Sequence, residues 1–411
     1  MKAPSPRICC LDLDTFFVSV ERLLHPELVG QPVVVGPREG TRGVVTAASY
    51  EVREFGVHAG MSAVEARRLA PHAIFVPSTS GVYSSYAAKV KAILMDFTPE
   101  VQTASIDEFY LGFHGCERLY HRSIDVDADA TIERTVRRMR QRIQDDLGLP
   151  SSVGIACSKP LAKMGSKRAK PAGVFMVRSG EEWDFVRDMP VGAWPGIGPR
   201  AQERLASAGL RTLGQLIYPP PGPGRARFSR LSGRVSSGVF GERATHLGRD
   251  RPAFREHDPD GLTVGSISNE RTFHSDLGDR QQVLDRLRGL CERVCWRARK
   301  RGIRARTVTL KIRFSDFHTI SRGRTVSPTH AEADVLALTR DLLDLAWTRG
   351  RPLRLLGVCL SNLVGQERQL RLPLGVDSTP DVGGAIDAVR LKFGYDAIRM
   401  GSTRPGVSAR S

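Results

Sequence analysis

Two acidic clusters each close a short apolar run: Ile8-Cys9-Cys10-Leu11-Asp12-Leu13-Asp14 and Ala104-Ser105-Ile106-Asp107-Glu108-Phe109-Tyr110-Leu111. A carboxylate at the end of a buried strand is costly unless a cation neutralises it. Mg²⁺ is a hard ion that takes one or two carboxylates together with phosphate and water oxygens. Two such ions, about 3.5–4 Å apart, hold the attacking and leaving oxygens of an in-line phosphoryl transfer. Asp12 and Asp14 stand two apart and share a face if the strand continues. Asp107 and Glu108 are adjacent and point to opposite faces unless a bulge or turn intervenes.

The elements that position these residues read as a mixed α/β (α+β) layer domain to about residue 172. Strands are predicted over 8–13, 32–35, 44–47, 101–105, 109–113 and 152–156, and helices over 16–24, 62–69, 81–97 and 131–147. Residues 159–216 read as mostly short helices, and the Pro/Gly-rich segment 218–224 marks a loop. A polar tether is expected over 249–261. A second α/β unit follows, with strands at 263–269, 307–313, 317–322 and 355–363 and helices at 279–301 and 331–348. After residue 366 the composition predicts a flexible tail, with an amphipathic helical turn or two at 385–394.

Charge narrows the partner. The 411 residues hold 61 Lys plus Arg against 44 Asp plus Glu, a net +17, which points to a polyanion. Nine basic and no acidic residues fall between positions 293 and 313, the pattern of a surface that follows a phosphate backbone. No apolar run nears the roughly 20 residues of a spanning helix, and no secretory signal is visible, so no membrane partner is expected. Seven scattered cysteines read as reduced intracellular thiols, Cys291 and Cys295 as core. Tyr50 and Arg53 share a face on a helix, offering a hydroxyl and a guanidinium to a triphosphate. Lys163 and Lys170, seven apart, share another, with Ser158 as N-cap and Pro171 as stop.

Four blocks resemble, in order, the signatures of Y-family translesion DNA polymerases, their bacterial DinB branch above all: Asp12-Leu-Asp14-Thr-Phe16-Phe17-Val-Ser-Val-Glu21, Ser49-Tyr50-Glu51-Val-Arg53-Glu-Phe55-Gly56-Val57, Ser105-Ile-Asp107-Glu108-Phe-Tyr110-Leu111 and Val153-Gly-Ile-Ala-Cys-Ser158-Lys159-Pro-Leu161-Ala162-Lys163…Lys170-Pro171. The resemblance implies a right-hand polymerase: palm at 1–15 and 78–172, fingers at 16–77, a helix-hairpin-helix thumb at 173–248, linker at 249–261, little finger at 262–365 and tail at 366–411. It implies Asp12, Asp107 and Glu108 as catalytic metal ligands, with the Leu13 carbonyl, for two Mg²⁺ ions. Phe16, Phe17, Tyr50, Arg53, Lys163 and Lys170 would meet the nucleotide, the Phe17 ring lying below the sugar and excluding a 2′-hydroxyl. Ala47 stands where relatives often have Thr, Glu54 where Lys is frequent, and Val18 where Ala is common.

Trp194-Pro195-Gly196-Ile197-Gly198-Pro199 resembles the hairpin of a helix-hairpin-helix, whose Gly196 and Gly198 backbone would approach DNA phosphates. Ser321-Arg322-Gly323-Arg324-Thr325 resembles the little-finger segment that touches template phosphates. Gln369-Leu370-Arg371-Leu372-Pro373-Leu374 resembles a sliding-clamp peptide, with Gln369, Leu370, Leu372 and Leu374 as its contacts. The implied activity is primer extension of low fidelity and processivity in DNA damage tolerance, on primer–template DNA and deoxynucleoside triphosphates. A monomer in the bacterial cytoplasm is expected. Two other readings differ in class: a non-catalytic DNA- and clamp-binding adaptor, which would have lost a carboxylate, and a palm-type nucleotidyl cyclase, which would not need the basic second domain.

Overall fold

The computed structural model describes residues 7–79, 81–220, 227–240, 264–348, 350–365 and 382–399. Two units form, residues 1–249 and 250–411. In the first, a sheet runs β5 (Val101–Thr103), β6 (Glu108–Gly112), β1 (Ile8–Leu13), β7 (Ser151–Ala156), β8 (Val174–Met176). β1 is central and antiparallel to both neighbours. Period-two alternation sends Cys9, Leu11 and Leu13 into one core, with Phe109, Leu111, Leu94 of helix Val82–Met95 and Ile132, Val136 and Met139 of helix Ala128–Leu147. Ile8 and Cys10 face the other way, onto Leu161, Ala162 and Met164 of helix Lys159–Ala169. Asp12 follows on that second face, and Glu108 does likewise on β6. The same alternation that buries the strands therefore aims both carboxylates at the lysine-bearing helix.

That helix lies directly on β7. A Cβ at Gly154 would sit 2.0 Å from the Ala162 carbonyl oxygen and 2.2 Å from the Ser166 nitrogen, so only glycine permits the approach. Helix Ala128–Leu147 starts earlier than the periodicity predicts, because the Asp127 carboxylate accepts from the Ala130 N–H at 2.7 Å and caps it. A separate small sheet, β3 (Ala47–Ala48), β2 (Val33–Val35), β4 (Ile74–Val76), holds its own core of Val34, Val45, Ala48 and Val52. The strand expected over 44–47 shrinks to Ala47–Ala48, and Val44 makes only an isolated bridge to Ser62. β4 and β8 were not foreseen. Each is three residues long and pairs in parallel, too short to show a period.

Further on, Val191, Trp194, Ile197, Leu205, Leu210, Leu213 and Leu216 pack together around a hairpin. Of the Pro/Gly-rich segment only 218–220 lie within the described residues, and 249–261 fall outside them.

The second unit is one antiparallel sheet, β11 (Thr319–Thr329), β10 (Ile303–Phe314), β12 (Leu353–Gly365), β9 (Ser266–Leu277), covered on one face by helices Arg280–Arg299 and Glu332–Ala346. β9 runs well past the predicted 263–269 because its ladder with β12 continues to Leu277 opposite Leu353. Cys291 and Cys295 are fully buried in this core. The helix expected at 385–394 spans Val382–Phe393. Arg299 bonds Glu332 at 2.7 Å and Asp387 at 2.6 Å, and buried Arg390 faces buried Glu292 at 3.8 Å, which ties the C-terminal helix to Arg280–Arg299. Among the described residues no helix is long and apolar enough to cross a membrane.

Candidate active site

Asp12 on β1 and Glu108 on β6 are Cα partners in the antiparallel register. Asp107 precedes β6 in a tight turn, where the Ala104 and Ser105 N–H groups both donate to the Glu108 carbonyl at 2.9 and 3.2 Å. The turn, rather than a bulge, takes Asp107 out of the strand alternation. The Leu13 N–H donates to the Asp107 carbonyl at 2.9 Å, closing the tip of β1 onto that turn. In an extended residue N–H and C=O share an edge, so the Leu13 carbonyl faces the same junction.

The acids meet bases here. Lys163 Nζ donates to Glu108 Oε2, and Lys170 Nζ donates to Asp12 Oδ1 and lies 3.5 Å from Asp14. The Ser105 hydroxyl donates to Asp107. Burial raises the Asp12 carboxyl above its usual range against the pull of Lys170, and the Asp107 and Glu108 charges add to the rise. Burial works to lower both ammonium groups, yet Glu108 leaves Lys163 raised and Asp12 leaves Lys170 raised. Among the described residues no three His, Cys, Asp or Glu side chains converge closely enough to enclose an ion. Asp12 and Glu108 turn instead to their lysines. The donor set still suits a hard divalent cation: it is all oxygen, sits at one sheet end and is crowded with like charge.

Two sequence expectations change. Lys170 does not share a helical face with Lys163, because the helix ends at Ala169 and Lys170 is extended (φ −69°, ψ 141°) ahead of Pro171. A residue before proline is pushed out of the α region. Ser158 stands at the expected N-cap position, but its side chain donates to the Gly238 carbonyl at 2.7 Å rather than to the helix.

Asp14 reaches the same Lys170 ammonium as Asp12, in keeping with a shared face, but its own bonds differ. Its carboxylate is buried and accepts from Ser152 Oγ at 2.8 and 3.0 Å and from the Ala172 N–H at 2.7 Å. It locks β1 to β7 and to the chain after Lys170. Asp14→Ala should cost about 3 kcal/mol, because it strands a buried hydroxyl, an amide and part of an ammonium charge. Chemical denaturation of the first unit reads this, and a loss below about 1 kcal/mol would contradict it.

Phe16 is buried in the core, whereas Phe17 is half-buried. The Phe17 ring stacks on Tyr83, centroids 4.0 Å apart and planes 5° from parallel. Tyr83 is fixed in turn, donating to Glu21 and accepting from the Thr79 N–H at 3.0 Å. Tyr50 and Arg53 lie on one short helix, the guanidinium 4.9 Å from the ring centroid. The Tyr50 hydroxyl is buried with no partner among the described residues. Burial and then the Asp14 charge raise it, so this small helix stands beside the acid–lysine cluster. A buried, unsatisfied hydroxyl next to an arginine suits a phosphate oxygen.

Gly196 has φ +91°, open space surrounds both Gly196 and Gly198, and helix Pro199–Ser207 follows the turn. Arg322 and Arg324 pair in register with core-facing Leu310 and Val308, so they lie on the helix side of edge strand β11. Arg324 reaches Asp341 at 3.1 Å. Gln369, Leu370, Leu372 and Leu374 lie outside the described residues. Ser152, Ser105 and Tyr83 were not singled out in the sequence. Nothing in the spacing marks Ser152 or Tyr83, which only the sheet register and helix packing bring to the site, whereas Ser105 lies in the Asp107 turn itself.

The chain matches the impB/mucB/samB family over residues 11–167 and that family's C-terminal domain over 264–372. It is 35% identical over 402 residues to the DNA polymerase IV of Dehalococcoides mccartyi, covering 97% of each chain. It is 34% identical over 354 residues to that of Treponema denticola, covering 86% of this chain and 84% of the relative. Among solved structures, a Y-family DNA polymerase chimera superposes with a TM-score of 0.72 at 25% identity, over 87% of this chain and 99% of that one. DinB from Sulfolobus solfataricus shares the fold with a TM-score of 0.56.

Proposed function

The chain belongs to the impB/mucB/samB family of Y-family DNA polymerases, and from that membership we propose how its residues divide the work. It is a DNA-directed DNA polymerase of the translesion type, acting on DNA and deoxynucleoside triphosphates with divalent-metal dependence. The observation that carries the assignment of residues is the register of β1 and β6, which sets Asp12 opposite Glu108 with Asp107 at the adjoining turn. Asp12, Asp107, Glu108 and the Leu13 carbonyl would hold two Mg²⁺ ions. Those ions would supply charge neutralisation and alignment for attack of the primer 3′-oxygen on the α-phosphorus, with the bond to the pyrophosphate oxygen breaking.

Lys163 and Lys170 would exchange part of their hold on Glu108 and Asp12 for the triphosphate oxygens, which Tyr50 and Arg53 receive from the other side. Phe17, braced by Tyr83, forms the floor under the sugar. Phe16 supports it from the core. The Gly196–Gly198 hairpin and the Arg322–Arg324 edge would hold DNA phosphates. Palm at 1–15 and 78–172, fingers at 16–77, thumb at 173–248 and little finger at 262–365 follow from the same assignment, as does monomeric action on DNA in the bacterial cytoplasm.

The segment from Gln369 to Leu374 would engage a sliding clamp. Primer extension with and without a clamp tests both parts. Extension should require Mg²⁺, and clamp stimulation alone should vanish in Leu370→Ala/Leu372→Ala. Extension that survives chelation, or stimulation unchanged in the variant, would overturn the corresponding part.

A further inference from the structure

Helix Arg280–Arg299 carries an arginine stripe, overlapping the basic run from 293 to 313, that none of the primer–template contacts proposed above uses. Arg286, Arg293 and Arg297 are spaced by seven and four, which places them on one face, and Arg301 follows just past the helix end. The helix buries Val283, Leu287, Leu290, Val294 and Ala298 against the sheet, so the stripe occupies a flank, beside β9. Arg297 fixes that geometry by donating to the Ser268 carbonyl of β9 at 2.8 Å. Arg271 of the same strand joins from one side.

From the other side comes the C-terminal segment. The Arg293 guanidinium lies 4.3 Å from the centroid of the Tyr395 ring, and Arg399 follows, bonded to Asp396 at 2.5 Å. Among the described residues no carboxylate pairs with Arg271, Arg286, Arg293, Arg297 or Arg301. The crowding is felt by the groups themselves. Arg271 is lowered by burial and by Arg286, Arg293 and Arg399; Arg297 is lowered by burial and by Arg301 and Arg293. Arg322 and Arg324 lie on β11, at the opposite edge of the sheet.

We propose that this stripe, bordered by β9 and the Tyr395–Arg399 segment, is a second phosphodiester-binding surface, holding nucleic acid beyond the primer–template that the polymerase extends. From Arg286 to Arg301 the stripe spans about 22 Å at 1.5 Å per residue, the rise of roughly six phosphates of one strand measured along a B-form axis. An acidic peptide offers sparser charge, whereas a nucleic acid backbone offers a regular row of the planar oxygens that guanidinium forks grip in pairs. Six arginines line this surface, joined by Lys300 seven residues after Arg293, and such a preponderance of guanidinium groups favours the phosphate backbone.

The test uses the full chain preloaded with a short unlabelled primer–template, and reads anisotropy of a labelled thymidine 30-mer or a labelled 30-base-pair duplex. The variant is Arg286→Gln/Arg293→Gln/Arg301→Gln, which spares the Arg297 bond to Ser268. Three lost phosphate contacts should weaken the single strand about a hundredfold at 0.1 M salt and flatten its log–log salt slope by about 2, or by nearly 3 for the duplex. Whichever form shows the loss is the occupant. Extension of the short primer–template should not change, so failure of this surface and failure of the polymerase assignment are separable.

Unchanged affinity and slope for both forms would overturn the proposal. So would polyglutamate that binds wild type as tightly as the oligonucleotide and is lost equally in the variant. In the wild-type chain, phenylglyoxal mapping should show Arg286, Arg293 and Arg301 protected by the oligonucleotide, and full modification in its presence would overturn the proposal independently of the variant's folding.

Discussion

Asp107→Ala should reduce single-turnover primer extension by at least about a thousandfold, some 4 kcal/mol of transition-state stabilisation, while leaving DNA affinity within about twofold. Its carboxylate is tied only to the Ser105 hydroxyl of its own turn, and among the described residues no cation pairs with it. Its loss should therefore remove one of the proposed metal-ligand oxygens without unbalancing the core. Glu108→Ala should cost as much in rate but also lower stability, because Glu108 is buried and its removal leaves the Lys163 ammonium without its partner. The two variants thus separate chemistry from folding. Extension by Asp107→Ala within tenfold of wild type would show that the metal site lies elsewhere.

Phe17→Ala should raise ribonucleotide insertion relative to deoxyribonucleotide insertion by about a hundredfold, some 3 kcal/mol of steric exclusion relieved. The ring cannot swing aside to admit a 2′-hydroxyl. Tyr83 lies flat against it at 4.0 Å, and Tyr83 is anchored by Glu21 and Thr79. The control is Tyr83→Phe, which keeps the stack, drops the hydrogen bonds and should relax selectivity only slightly. Equal sugar selectivity in Phe17→Ala and wild type, measured as the ratio of kcat/KM values, would remove Phe17 from the nucleotide site.

How much of this was legible in the sequence depended on whether a feature was local. β1 and the helix Phe16–Leu24 could be read to the residue, because an apolar run and an amphipathic stripe declare themselves in order. The acidic pairs were visible as types and spacing. What their side chains do was not. Asp12 and Asp14 look equivalent in sequence, yet Ser152 and the Ala172 N–H claim Asp14, and neither partner lies within 130 residues of it. Lys170 reaches Asp12 from an extended residue after its helix rather than along a helical face. Tyr83 becomes the brace of Phe17 only when helix Val82–Met95 packs beside Phe16–Leu24. The short parallel strands β4 and β8 escaped for a similar reason, since three residues carry no period and their partners supply the pairing.

The most direct measurement is single-nucleotide insertion by the wild-type chain on four primer–templates that differ only in the templating base, with Mg²⁺ and each deoxynucleotide in turn. The carboxylate assignment predicts that the complementary nucleotide is inserted preferentially on every template and that chelation of the metal stops insertion. Tight primer–template binding with no insertion on any template would contradict it and leave a DNA-binding protein without polymerase chemistry.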